Sequence, residues 1–146
     1  MNDKKNLFVV VLIVALMLIA LPNLISMLRG TAEVPDVFSD GYTLAEATAM
    51  SVETGKPILA LATADWCPPC QTLKRGPLQD PEIVAMINAN AIPVYLEESK
   101  NIDDIRRLGL RSYPTTFILE GDQVVAALSG GSQYKRFLEQ ELVPVP

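Results

Sequence analysis

The chain has 146 residues, room for one compact domain of about 100 residues plus a short extra segment. Setting aside Asp3, Lys4, Lys5 and Arg29 leaves 9 basic and 16 acidic groups, which argues against nucleic acid or anionic lipid as a non-specific partner of that domain. Histidine is absent, so histidine-dependent triads, imidazole metal sites and imidazole proton shuttles are excluded within one chain.

Residues 1–6 read as a cytoplasmic N-terminus. Leu7 to Leu21 is an unbroken apolar run, and apolar character resumes after Pro22, Asn23 and Leu24 through Ile25, Met27 and Leu28. Residues 7–28 suffice for a bilayer helix, which needs about 20 residues, with Pro22 as a kink. Lys4 and Lys5 precede the run and only Arg29 closely follows it, which places the N-terminus in the cytoplasm. The expected location is a single-pass anchor in the cytoplasmic (inner) membrane, with the domain facing the periplasm or exterior. The alternative is a cleaved signal peptide, with Gly30-Thr31-Ala32 supplying small residues for cleavage. Both readings export the domain.

Residues 29–41, with Pro35, Asp36 and Asp40, read as a linker, and 42–146 as the domain. Thr43-Leu44-Ala45-Glu46 matches a capping box and starts a helix running to about Thr54, closed by Gly55. Ile58 to Ala62 reads as a strand buried on both faces. Trp66-Cys67-Pro68-Pro69-Cys70 opens a second helix, which Pro77 ends or bends. Asp80-Pro81-Glu82 is a new helix start, with Ile83, Met86 and Ile87 as its apolar stripe. Ile92 to Leu96 is a strand and Asn101 to Leu108 a short helix. Thr115 to Leu119 and Val124 to Leu128 form a hairpin around Glu120-Gly121-Asp122-Gln123. Gly130-Gly131-Ser132 leads into a last helix ending near Leu142. The order α-β-α-β-α-β-β-α predicts an α/β sandwich, with parallel strands first and an antiparallel hairpin last.

The two cysteines, Cys67 and Cys70, close too small a loop for their bridge to stabilise the fold much, so chemistry explains the pair better. A thiolate, not a thiol, attacks a disulfide. A Cys at a helix N-terminus is exposed, and free amide N–H groups and the helix dipole favour its charge. A second Cys one turn along can resolve the mixed disulfide. Cys67 is therefore the expected nucleophile and Cys70 the resolving thiol. Pro68 and Pro69 carry no N–H, so the Cys70 amide is the donor left for the Cys67 sulfur. Asp65 adds a repulsive charge. A thiolate stabilised only moderately favours a reductant, because strong oxidants have a highly stabilised reduced form. A zinc site fails on ligand count, since structural zinc takes about four ligands and no other Cys or His is present. No metal and no other cofactor is expected. An inert thiol pair is opposed by Trp66 and the helix-initiating prolines. Trp66 reads as an exposed lid over the site.

Ala64-Asp65-Trp66-Cys67-Pro68-Pro69-Cys70 resembles the active-site stretch of the thioredoxin superfamily, and Gly109-Leu110-Arg111-Ser112-Tyr113-Pro114-Thr115 resembles its cis-proline loop. The resemblance covers about Asp40 to Leu142. With Gly55-Lys56-Pro57 it is most like the branch that includes the C-terminal thioredoxin-like domain of transmembrane disulfide-interchange reductases. It implies a three-layer sandwich, a central mixed sheet with helices on both faces, here behind an N-terminal transmembrane helix. It also implies that Pro114 is cis and lies against Cys67, that the Tyr113 backbone pairs with an extended substrate segment, and that Trp66, Pro68 and Pro69 support the site. Many relatives carry a buried Asp six residues before the first Cys, where it helps move the resolving thiol's proton. Leu61 stands there instead. Cys70 then loses its proton to water, or to Glu97 or Glu98, unless those two are a solvated strand end.

The implied function is a membrane-anchored thiol–disulfide oxidoreductase that reduces disulfides of exported proteins and is re-reduced by a membrane electron donor. Its expected partners are disulfide-containing or thiol proteins and, through residues 7–28, the lipid bilayer. The alternatives are a disulfide oxidase or isomerase, and a redox-inactive thioredoxin-like binding module. Intact Trp66, Cys67, Cys70 and Pro114 count against the last.

Overall fold

The computed structural model describes residues 2–28 and 30–143, with the side chains of 2–6 and 22–28 outside that description. The chain forms two compact units, Met1–Thr31 and Ala32–Pro146. The first holds α1 (Asn2–Leu28). Its described side chains, from Leu7 to Leu21, are all exposed. Among the described residues no helix is long and apolar enough to cross a membrane. Of the expected span over 7–28, the side chains of 22–28 lie outside that description.

In the second unit, Thr43 begins α2 (Leu44–Thr54) with a reciprocal cap. Its hydroxyl accepts the Glu46 N–H at 3.2 Å, and its own N–H donates to the Glu46 carboxylate at 2.9 Å. The Thr43 N–H and the Thr43 hydroxyl, the latter at 2.7 Å, both donate to the Glu46 carboxylate and hold its pKa below the ordinary value. Gly55, at φ 71°, closes the helix in the left-handed conformation. After it comes β1 (Ile58–Thr63), buried along its whole length. The remaining elements are α3 (Pro68–Arg75), α4 (Pro81–Asn90), β2 (Ile92–Glu97), α5 (Glu98–Arg107), β3 (Thr115–Glu120), β4 (Gln123–Ser129) and α6 (Tyr134–Leu142).

The helix starts expected at Cys67 and Asp80 both form, so the stretch that the expected element order counts once holds two α-helices. Gly76 closes α3, a 3-10 turn over Pro77–Gln79 follows, and Asp80 caps α4 by accepting the Glu82 N–H at 2.9 Å. Helix α5 starts at Glu98 rather than Asn101. Asn101 itself is non-helical (φ −123°), and its side chain accepts the Glu97 N–H at 3.0 Å, which ties this break to the end of β2.

The sheet order is β2-β1-β3-β4, with β1 parallel to β2 and antiparallel to β3, and β3 antiparallel to β4. Alternation along β1 feeds two cores. Leu59 and Leu61 pack with Leu73 of α3, Ile83 and Ile87 of α4, and Leu138 of α6. Ile58, Ala60 and Ala62 pack with Leu44 and Ala47 of α2 and Ile105 of α5. The result is a mixed sheet between two helical layers. A strand held from both sides delivers the residues after Thr63 to a fixed place at the sheet edge.

Candidate active site

Ala64, Asp65 and Trp66 carry the chain from β1 into α3. Cys67 is the N-cap of α3, in an extended conformation, and Pro68 and Pro69 open the helix. Proline fits there because first-turn N–H groups have no partner within the helix. The Cys67 sulfur accepts the Cys70 N–H at 3.2 Å, the donor that the two prolines leave. Cys67 and Cys70 are joined as a disulfide. Cys67 is 2% exposed and Cys70 0%. The expected exposed sulfur is therefore not seen in this oxidised state. Ala64 and Tyr113 pack against the pair and cover it.

Trp66 is 68% exposed. Its ring meets that of Tyr113 edge-on, with centroids 5.8 Å apart. Its Nε1 donates to the Glu98 carboxylate at 2.6 Å. Burial, then the nearby Glu98 carboxylate, raises the Tyr113 phenol above its ordinary pKa. Glu98 thus links the residue before Cys67 to the residue before Pro114. The Tyr113–Pro114 bond is cis, Pro114 is buried, and β3 starts directly after it. Pro68 and Pro69 lie exposed on the first turn of α3.

Leu61 is wholly buried in apolar surroundings. The two glutamates named as substitutes for an acid there are engaged elsewhere. Glu97 accepts from Lys100 at 2.8 Å and from Ser99 at 2.5 Å, which holds its carboxyl below the ordinary pKa. Glu98 is bonded to Trp66.

Sequence reasoning missed three features. The role of Glu98 is set by strand register: Thr63 pairs with Glu97, so the next residue falls beside the loop that carries Trp66. The Gln71 side chain accepts the Ala32 N–H at 2.6 Å and donates to the Asp65 carbonyl at 3.1 Å. The Lys74 ammonium donates to the Ala32 carbonyl at 2.8 Å and to the Tyr95 hydroxyl at 3.3 Å. For Lys74 the available signal was its place one helical turn after Cys70. Among the described residues no cluster of three or more Cys, Asp or Glu is placed to hold a metal ion.

Residues 40–121 match the sequence profile of a family described as thioredoxin-like. The chain belongs to the thioredoxin-like family. The match takes in both cysteines and the cis-proline loop. Among solved structures, the chain is similar to a thioredoxin from Thermus thermophilus at 21% identity, with TM-score 0.59 over 68% of this chain and 83% of that one. It is similar to a DsbH oxidoreductase at 20% identity, with TM-score 0.61 over 70% and 83%. It is similar to a poplar thioredoxin h at 22% identity, with TM-score 0.52 over 64% and 80%. Identities this low speak to the fold alone. Comparison with curated protein sequences finds no match. The thioredoxin-like fold with a Cys67–Cys70 pair at a helix start is an arrangement suited to thiol–disulfide exchange.

Trp66 is the chain's single tryptophan, so its fluorescence reports on this site alone. Glu98→Ala should lower the anisotropy of Trp66 emission and increase its quenching by iodide. Glu98→Gln keeps an acceptor oxygen and should stay near wild type. Unchanged quenching in Glu98→Ala would show that other contacts hold the indole.

Proposed function

We propose that this thioredoxin-like domain is a membrane-tethered protein-disulfide reductase. The observation that carries the proposal is the Cys67 sulfur at the N-cap of α3, on the Cys70 amide and in a disulfide with Cys70. In the reduced enzyme the Cys67 thiolate attacks one sulfur of a substrate disulfide. The substrate S–S bond breaks, one substrate thiolate leaves and takes a proton, and a mixed disulfide forms. Cys70 then loses its proton, attacks Cys67, and releases the second substrate sulfur as a thiol. The Cys pair ends oxidised and the substrate reduced. An extended substrate segment pairs with the Tyr113 backbone beside cis Pro114. Trp66 and the Tyr113 ring flank it.

A reductive direction is supported by how little holds the Cys67 thiolate: one amide, a helix dipole, two prolines without N–H, and a neighbouring Asp65 carboxylate. Similarity in fold to a protein titled an oxidoreductase supports the redox class without setting direction. The apolar residues 7–28 and Lys4/Lys5 support an anchor with an exported domain, re-reduced by an electron donor in the membrane.

Cys67→Ser should abolish both alkylation at low reagent and reduction of insulin disulfides. Cys70→Ser should keep the first attack and accumulate mixed disulfides with substrate proteins. A Cys70 thiol more reactive than Cys67 would reverse the assigned roles. On cell fractionation, the full-length protein should sit in membranes, with the domain open to protease from the exported side. A soluble, shortened exported form would replace the anchor with a cleaved leader, and residence in the cytoplasm would overturn export.

A further inference from the structure

Lys74 is 2% exposed although its side chain ends in an ammonium. Its hydrogen-bond partners are neutral oxygens, the Ala32 carbonyl and the Tyr95 hydroxyl, and its Nζ lies 5.9 Å from the centre of the Tyr95 ring. None of the ion pairs among the described residues includes it. The Glu97 carboxylate feels the ammonium, which helps lower its pKa, but forms its ion pair with Lys100. Burying a charge without a directly paired counter-charge is costly, and a residue needed only to fill space there would be apolar.

Its position points to the disulfide. Lys74 follows Cys70 by four residues on α3, and both are buried, so they lie one above the other on the face pressed against the sheet. Their Cβ atoms are then about 5–6 Å apart. Helical side chains lean toward the helix N-terminus, so the Lys74 stem leans toward the Cys70 turn. The far end is fixed from the same direction. The Tyr95 hydroxyl that accepts a hydrogen bond from the ammonium also accepts one from Thr63 at 2.8 Å, and Thr63 directly precedes Ala64, which packs on both cysteines. Tyr95 pairs across the sheet with Leu61, the position where relatives place an acid.

We propose that Lys74 is a positioning residue for the resolving step, its ammonium stabilising the Cys70 thiolate in place of a buried base. The proposal rests on the thiol–disulfide reading above. In the mixed disulfide, Cys70 gives its proton to water and its sulfur electron pair forms the bond to Cys67. The bond from Cys67 to the substrate sulfur breaks, and that sulfur leaves as a thiolate that takes a proton from water. A cation beside Cys70 favours the first of these events by lowering the thiol's pKa. The titratable groups around the ammonium are Tyr95 and Glu97 of β2 and Cys70 on its own helix, and Glu97 is bonded to Lys100. Thr63, Phe38 and Ala32, the other residues about Tyr95 and the ammonium, bring no charge.

The test is to load Cys67 of the full-length protein with 5-thio-2-nitrobenzoate and follow its release by Cys70 as a function of pH. Lys74→Met and Lys74→Gln should each move the midpoint of release up by about one pH unit or more, close to tenfold slower release at neutral pH. Lys74→Arg should restore the wild-type midpoint. An unchanged midpoint in folded neutral variants would overturn the proposal and leave Lys74 as a clamp on Ala32. A second measurement keeps Lys74 in place. In Cys67→Ser protein, the Cys70 thiolate should titrate at or below the free value of about 8.5, although burial alone would raise it. A midpoint above that value would also overturn the proposal. A wild-type protein that releases no thionitrobenzoate and reduces no insulin would instead overturn the thiol–disulfide reading itself.

Discussion

A sulfur capping a helix is the interaction on which the rest of this site depends. Cys67 replaces the usual oxygen at an N-cap, and its partner is the N–H of the residue to which it is also covalently bonded. For that to hold, α3 must start at one defined residue. Pro68 and Pro69 set the start, because their fixed φ suits a first turn and they surrender N–H groups that had no helical partner. The same two residues limit how many donors the sulfur can have. A helix start made rigid by prolines is thus also a helix start poor in amide protons, and geometry and thiolate stability are set by one choice of sequence.

Four groups keep this start in place. β1, buried on both faces, fixes Thr63 and the turn after it. Gln71 holds the Asp65 carbonyl, so the turn is tied to the helix that follows. Glu98 reaches from the start of α5 to Trp66, while Tyr113 packs on the cysteines from the cis-proline loop. Segments far apart in sequence converge on a disulfide whose own loop is minimal. Its stability as a crosslink is small, which fits a bond made to be broken and remade.

What could be read from the sequence was whatever is written in adjacent residues. The Thr43–Glu46 cap, the stop at Gly55, the prolines after Cys67 and the hairpin turn at Gly121-Asp122 are local signals, and the structure shows elements starting and stopping there. The thioredoxin-like fold was legible through two motifs taken together. The groups that complete the site were not, because they arrive through register and packing. Glu98 reads as a charged strand end until Thr63 is known to pair with Glu97. Lys74 reads as an ordinary basic residue near a helix C-terminus until its burial is known. The burial of Cys67 arises where Ala64 and Tyr113 pack on the pair, which spacing alone does not specify.

The proposed reductase requires a Cys67 thiolate of modest stability. Stabilising that thiolate lowers the free energy of the reduced pair, and for a two-electron couple about 1.4 kcal/mol corresponds to about 30 mV. The most direct measurement is the reduction potential of the Cys67–Cys70 couple, obtained by equilibration against dithiothreitol or glutathione with the thiols trapped by acid. A value nearer about −270 mV than about −120 mV is the predicted result. A value close to about −120 mV would contradict the claim and make the pair an oxidant.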